Sequence, residues 1–169
     1  MPLSQSIKTS LLTLSWLPVL YTFTSHVYQP YQISGMSMTP TFNPGTTTKS
    51  KDIVLVQKYN IKTEATSSTL NSSSIQHGDI IMFRSPMDPE RLLTKRVIGV
   101  NGDTVQPRKK SYPKKEVKIP RGHFWVEGDN AMHSIDSNEF GPISRGLVVG
   151  KVVFVLWPPS RFGTELNHV

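Results

Sequence analysis

Short apolar runs, each followed or preceded by a turn sequence, constrain the fold of this chain more than any other feature. Their lengths and their β-branched and aromatic residues are typical of strands. The longest run is rich in valine, which favours a strand over a helix. The runs are residues 52–57, 79–84, 92–100, 122–127 and 147–157. They predict a mainly β, antiparallel domain that occupies residues 29–169.

The N-terminal segment is unusual because it carries no Lys, Arg, Asp or Glu between Lys8 and Lys49. Residues 9–28 just reach the roughly 20 residues that a membrane-spanning helix needs. We therefore predict one membrane-anchoring helix within residues 1–28, which Pro18 should kink. A cleaved signal peptide and a helix buried in the soluble domain remain alternatives.

The positive charge of the chain is concentrated in one place. Of the formal net charge of +7, six units come from residues 107–121, where seven Lys and Arg stand against one Glu. Such a cluster is suited to anionic lipid or nucleic acid, but no aromatic platform or nucleic-acid motif accompanies it. We predict a solvated basic loop between two strands, and no nucleic-acid partner. The polar residues 63–74 predict a flexible surface insertion.

The sequence limits the chemistry that a site in this domain can use. No cysteine is present, which excludes disulfides, thiolate metal sites and a thiol nucleophile. A hydroxyl nucleophile remains possible, and Ser37 stands between Met36 and Met38 just beyond the uncharged segment. A serine needs an adjacent base, because it is a poor nucleophile at its ordinary pKa.

Lys95 is a candidate for that base. On a strand at residues 92–100 it would share one face with Leu93 and Val97, while Arg96 would point to the other face and be free for an ion pair. Apolar neighbours would desolvate the Lys95 amine and lower its pKa. The alternative is an edge-strand lysine that hinders aggregation.

A third group of polar residues lies at 128–138 between two apolar runs. One hypothesis is a Ser-His-Asp triad that uses His133 and Asp136. Another is a metal site built from Asp129, His133 and Asp136. The simplest interpretation is a turn-rich loop held by bonds from side chains to the backbone.

Three motifs occur in the order seen in type I signal peptidases, and the chain resembles that family over about residues 33–159. The motifs are Ser37-Met38-Thr39-Pro40-Thr41, Lys95-Arg96-Val97-Ile98-Gly99 with Gly102-Asp103, and Gly128-Asp129-Asn130 with Ser134, Asp136 and Ser137. The runs 121–129, 136–142 and 156–159 make the chain most similar to the mitochondrial members of that family.

The resemblance implies a Ser/Lys dyad in an antiparallel β catalytic domain, with Ser37 as the nucleophile and Lys95 as the general base. Gly35 stands where many bacterial members have a serine that helps to bind the oxyanion. The oxyanion would then depend on backbone N–H groups, those of Ser37 and Gly35, or on the Ser34 hydroxyl. The resemblance implies no cofactor and no metal.

The resemblance also assigns supporting roles. Ser134 would hydrogen-bond to Lys95 and orient it, Arg96 would pair with Asp129, and Asp136 would brace the same loop.

The implied partners are precursor polypeptides with cleavable sorting or signal peptides, the mitochondrial inner membrane, and a related protease subunit in a heterodimer. The catalytic domain would face the intermembrane space. A function of another class stays open at this point. In that case the chain would be a membrane-tethered basic module that binds anionic lipid or an acidic partner without catalysis.

Overall fold

The computed structural model describes residues 5–45, 51–59, 61–62, 73–164 and 166. In chain order, the strands are β1 (Tyr28–Gln32), β2 (Ile53–Gln57), β3 (Ile61–Lys62), β4 (Ser73–Ser74), β5 (Ile80–Arg84), β6 (Leu92–Gly99), β7 (Thr104–Val105), β8 (Val117–Lys118), β9 (His123–Glu127), β10 (Ile143–Ser144) and β11 (Val148–Trp157). Seven of them form one antiparallel sheet in the order β1-β2-β11-β5-β6-β9-β10. The predicted mainly β, antiparallel architecture is confirmed.

The five predicted strands correspond to β2, β5, β6, β9 and β11, each one residue shorter at one end than predicted. β1 was not predicted; it contains Pro30 and begins inside the predicted helix. A proline cannot donate to a sheet, so it is tolerated in an edge strand. β1 is such a strand, because it pairs with β2 alone.

The N-terminal segment forms two helices rather than the single predicted one. α1 (Gln5–Ser15) and α2 (Leu17–His26) are separated at Trp16. The interruption is explained by Pro18, which has no N–H to donate to the carbonyl of Leu14 and so breaks the helical ladder. Among the described residues, no helix combines the length and apolar character needed for a bilayer crossing. The membrane anchor within residues 1–28 therefore stays a prediction.

The sheet separates two apolar clusters, because alternate residues of a strand face opposite sides. On β5, Ile80 and Met82 belong to one cluster, and Ile81 and Phe83 belong to the other. The first cluster also buries residues that precede and follow the nucleophile candidate: Ile33, Met38 and Phe42. This packing fixes the loop that carries Ser37 against the sheet.

The basic segment is more ordered than the predicted solvated loop. β7 and β8 pair at the base of a hairpin, and Val117 and Ile119 are buried against Trp125. Alternation explains this result, since apolar residues at every second position of the segment bury one side of it. Residues 63–72 of the predicted flexible insertion lie outside the described residues, and Ser73–Ser74 form β4.

Candidate active site

Lys95 lies in the middle of β6, where it is paired with Ile81 of β5. Its side chain is only 2 % exposed. Burial lowers the pKa of Lys95 to about 8, although the negative charges of Asp136 and Asp129 partly oppose the shift. Within the described residues the amine makes no hydrogen bond or ion pair, so its nitrogen is not committed to another group.

Ser37 is half-buried in the loop that follows β1. The loop is anchored from below, because Met38 and Phe42 are buried in the core and the Phe42 N–H donates to the Met38 carbonyl at 2.8 Å. It is also held from the side by Asn130. The Asn130 N–H donates to the Ser37 carbonyl at 3.0 Å, and the Asn130 side-chain amide donates to the Met36 carbonyl at 3.0 Å.

Gly128 lets the loop around Asn130 approach Ser37 closely. A Cβ atom at this position would lie 2.5 Å from the Ser37 carbonyl oxygen and 2.3 Å from the Ser134 hydroxyl oxygen. Real Cβ atoms essentially never come so near. Glycine is therefore required here by space rather than by backbone conformation.

Ser37 and Lys95 line the same cavity, which has a volume of about 440 Å³. Ile33, Met82 and Leu93 supply apolar parts of its wall. No hydrogen bond joins the two side chains in the part of the chain that the structure describes. Catalytic hydrogen bonds are often long before substrate binds. The lack of a Ser37–Lys95 hydrogen bond therefore does not exclude the pair, whose members line one cavity.

The residues that the resemblance assigns to the oxyanion line the same cavity. Ser34, Gly35 and Ser37 all line it. Gly35 has a φ of +90°, a backbone conformation that favours glycine. The Ser37 N–H has no hydrogen-bond acceptor among the described residues, so it is available to a ligand in the cavity.

Arg96 joins several parts of the site behind this cavity. Its Nε and Nη2 atoms donate to the two carboxylate oxygens of Asp129, both at 2.8 Å. Burial alone raises the pKa of Asp129, but the hydrogen bonds from Arg96 and Thr41 and the Arg96 charge outweigh it and leave the pKa below its usual value. Thr41 belongs to the loop that carries Ser37, and its hydroxyl donates to Asp129 at 2.5 Å.

Asp136 organises the loop that follows β9. Its carboxylate accepts the Gly128 N–H at 2.9 Å, the Ser134 hydroxyl at 2.6 Å and two bonds from Asn138. Burial again raises the pKa of this carboxyl, and these hydrogen bonds more than offset it, so the pKa of Asp136 is lowered. Ser134 thus donates to Asp136, whereas the resemblance implied a hydrogen bond to Lys95, which this structure does not contain.

Comparisons with known proteins identify the family. The profile described as signal peptidase, peptidase S26, matches residues 6–112 and 107–157. The chain belongs to the signal peptidase family.

Two relatives place the chain within that family, and one solved structure is similar to part of it. It is 48% identical over 161 residues to mitochondrial inner membrane protease subunit 2 of Saccharomyces cerevisiae, covering 95% of this chain and 86% of that protein. It is 39% identical over 131 residues to mitochondrial inner membrane protease subunit 1 of Homo sapiens, covering 77% of this chain and 70% of that protein. A crystal structure of signal peptidase I from Enterococcus faecalis matches 46% of this chain and 95% of its own at 26% identity, with a TM-score of 0.38.

The resemblance to the mitochondrial members of the signal peptidase family is confirmed by these relatives. Their names also agree with the predicted location at the mitochondrial inner membrane. Membership of the family supports the predicted serine-type peptidase activity. The comparisons give no support to the non-catalytic basic module.

Sequence reasoning missed a buried polar cluster next to this signal peptidase site. Glu127 is 2% exposed and accepts hydrogen bonds from Trp125 at 2.9 Å and from Asn138 at 2.9 Å. It also forms an ion pair with Arg108 of the basic hairpin, at 2.5 Å. The sequence contains one indication of this cluster. A glutamate at the end of the apolar run Phe124-Trp125-Val126 needs a hydrogen-bond or ionic partner when it is buried.

The structure also bears on the triad and metal hypotheses. His133 ends a 3₁₀ helix (Ala131–His133) and is exposed at the edge of the cavity. It makes no hydrogen bond to Asp136, whose carboxylate is engaged by Ser134, Gly128 and Asn138. Among the described residues, no group of three or more His, Asp or Glu is placed to hold a metal. The loop is held by hydrogen bonds between side chains and backbone, as in the simplest interpretation.

Proposed function

We propose that this chain is a membrane-bound serine endopeptidase that removes sorting or signal peptides from precursors delivered to the mitochondrial intermembrane space. The observation that carries the proposal is a buried lysine of lowered pKa in the cavity that Ser37 also lines. Membership of the signal peptidase family and the similarity to the mitochondrial protease subunits support it.

In the proposed first half of the reaction, the Ser37 hydroxyl oxygen attacks the scissile carbonyl carbon while neutral Lys95 accepts the hydroxyl proton. The tetrahedral oxyanion receives a hydrogen bond from the Ser37 N–H, an interaction worth roughly 3–4 kcal/mol per donor in other hydrolases. The carbon–nitrogen bond then breaks, and the Lys95 ammonium returns its proton to the departing amine. An acyl ester on Ser37 remains.

In the second half, Lys95 accepts a proton from water as the water oxygen attacks the ester carbon. Collapse of the second tetrahedral intermediate breaks the ester bond, and the proton on Lys95 passes to the Ser37 oxygen. The products are two peptides and the regenerated enzyme. Arg96, Asp129, Ser134 and Asp136 serve to position the loops around the dyad rather than to transfer protons.

The test is cleavage of a panel of membrane-anchored precursors by the full chain in detergent, with the product N-termini sequenced. We expect Ser37→Ala and Lys95→Met each to lower the cleavage rate by at least about 10³-fold. Lys95→Arg should fail as well, because a guanidinium does not deprotonate. Lys118→Met is the matched control, since Lys118 is exposed on β8, and it should cleave normally. Residual activity of either dyad variant within tenfold of the wild type would refute the dyad.

We further propose a heterodimer with a related protease subunit, because the relatives include proteins named subunit 1 and subunit 2. Co-expression with a tagged subunit 1 from the same cell should recover the two chains as a stable pair. Size-exclusion chromatography that shows only the single chain would contradict this part of the proposal. Accessibility of the β domain to protease added outside the inner membrane tests its proposed orientation.

A further inference from the structure

The chain after β11 returns to the loop that carries the nucleophile candidate. It turns through a 3₁₀ helix (Pro159–Arg161) and ends, in the described part, with Leu166 only 8% exposed. We call residues 158–164 together with Leu166 the C-terminal strap. Leu166 packs in the same apolar cluster as Ile33, Met38 and Phe42. The strap therefore covers the residues that flank Ser37.

Polar contacts fasten the strap to the same loop at two points. At the first, the Arg161 guanidinium forms an ion pair with the buried Asp52 and donates to the Thr41 carbonyl at 2.5 Å. The same carboxylate oxygen of Asp52 also accepts the Asn43 N–H at 2.8 Å, so Asp52 links the strap to the nucleophile loop.

At the second point, Arg96 Nη1 donates to the Leu166 carbonyl at 2.7 Å. The same guanidinium binds Asp129, and Asp129 accepts the Thr41 hydroxyl. A buried cation thus connects the end of the strap, the loop after β9 and the nucleophile loop. The Arg96 side chain is only 8% exposed, so water does little to replace these contacts.

We propose that the strap positions Ser37, with Arg161 and Leu166 as its positioning residues; this inference rests on the proposed peptidase function. Neither residue lines the cavity that Ser37 and Lys95 share, so neither meets the substrate there. Both contact the nucleophile loop, because Arg161 donates to the Thr41 carbonyl and Leu166 packs in the apolar cluster of Met38 and Phe42. They act by fixing the loop, whose own backbone bonds are few and short in range.

This arrangement predicts a particular kinetic signature. A loosened nucleophile loop lowers the fraction of time for which the Ser37 oxygen is in reach of Lys95, and a misplacement of about 1 Å can cost on the order of a hundredfold. The part of the cavity wall that β6 supplies is untouched. The turnover number kcat should therefore fall while KM changes little, and the pH midpoint set by Lys95 should stay the same.

The first experiment measures kcat and KM for full-length Arg161→Gln and Leu166→Ala, with Leu166→Met and Arg121→Gln as controls. Leu166→Met nearly conserves volume, and Arg121 is exposed with no side-chain hydrogen bond or ion pair among the described residues. We expect kcat to fall 10- to 100-fold for the first two, with KM within twofold, and both controls to be within twofold of wild type. Unchanged kcat, or a loss confined to KM, would overturn the proposal.

The second experiment does not depend on activity. Hydrogen–deuterium exchange of a peptide covering residues 36–43 should rise at least fivefold in Arg161→Gln, also when Ser37→Ala is present. If Arg161→Gln does not fold, Leu166→Ala is measured in its place and should show the same rise. Exchange that stays at the wild-type level refutes the strap. A rise in exchange together with a fully active Ser37→Ala enzyme would instead refute the proposed function and leave the strap standing.

Discussion

The two members of the proposed dyad are held in different ways. Lys95 lies in β6, between β5 and β9, and its position follows from two antiparallel ladders that involve Ile81 on one side and the Arg96–Glu127 pair on the other. Ser37 lies in a loop, and its position follows from contacts with Asn130 and Gly128, about ninety residues away in the chain. The base is thus placed by the sheet and the nucleophile by long-range loop contacts. Changes to the two halves should therefore have different consequences.

Outside the dyad itself, the largest effect is expected on the loop side, from Gly128→Ala. The added Cβ would lie within 2.5 Å of the Ser37 carbonyl oxygen, so the two loops must separate. Because a displacement of about 1 Å can cost on the order of a hundredfold, we expect kcat to fall at least that much while the sheet remains folded. Steady-state kinetics of precursor cleavage and the circular dichroism spectrum provide the measurement.

Gly146→Ala is the matched control for this change. A Cβ at Gly146 would meet its nearest neighbour, the Ser144 hydroxyl, at 3.7 Å, an ordinary contact. This variant should cleave at the wild-type rate. If Gly128→Ala were equally active, the close approach of the two loops would not matter for catalysis, and the contrast between sheet and loops would lose its meaning.

The same contrast explains what the sequence could predict. The strands were predictable to within one residue because each run carries a local pattern of apolar and β-branched residues. The burial of Lys95 was predictable for the same reason, since Leu93 and Val97 share its face. β1 was missed because Pro30 and its polar neighbours lack such a pattern.

The loop contacts were not predictable from residues alone. A serine hydroxyl can donate to any nearby acceptor, so only the folded chain shows that Ser134 donates to Asp136 and not to Lys95. The Arg108–Glu127 ion pair joins a residue of the basic hairpin to the end of β9, and no local pattern marks it. The pairing of Arg96 with Asp129 was inferred from the family resemblance and not from spacing.

The next largest effect concerns stability on the sheet side, and it is tested by Lys95→Met. In the folded protein the pKa of Lys95 is lowered from 10.5 to about 8, so a buried ammonium opposes folding at neutral pH. The shift corresponds to roughly 3 kcal/mol. We expect Lys95→Met to raise the free energy of unfolding at pH 7 by up to about that amount, as measured by denaturant unfolding of the full chain in detergent.

The stability gain from Lys95→Met should depend on pH in a defined direction. Between pH 8 and 10.5 the unfolded lysine binds a proton that the folded lysine does not, so the stability of the wild type rises with pH through this window. The advantage of Lys95→Met should be greatest below pH 8 and should disappear by about pH 10.5. An advantage that does not change over this range would mean that Lys95 is not desolvated.

A tenfold effect per pH unit is expected in catalysis. Since only neutral Lys95 can accept the Ser37 proton, kcat/KM should increase about tenfold per unit below pH 8 and level off above it. A histidine base of ordinary pKa would level off near roughly pH 6.5 instead. The measurement is the rate of peptide cleavage at low substrate concentration from pH 5.5 to 10. A plateau that begins near 6.5 would remove Lys95 from its proposed role.

The smallest effect is expected from His133→Ala, which asks whether the loop side supplies a base of its own. His133 lies at the edge of the cavity, so a role in proton transfer is conceivable from its position alone. Its side chain is exposed, however, and the carboxylate that would orient it in a triad, that of Asp136, is engaged by Ser134, Gly128 and Asn138. A catalytic histidine without an orienting group is poorly placed to take the Ser37 proton. We therefore expect kcat/KM within threefold of the wild type and an unchanged pH midpoint in precursor cleavage. A hundredfold or greater loss of kcat/KM, with the fold intact, would mean that the general base lies on the loop and not on the sheet. The contrast between a base held by the sheet and a nucleophile held by the loops would then be wrong.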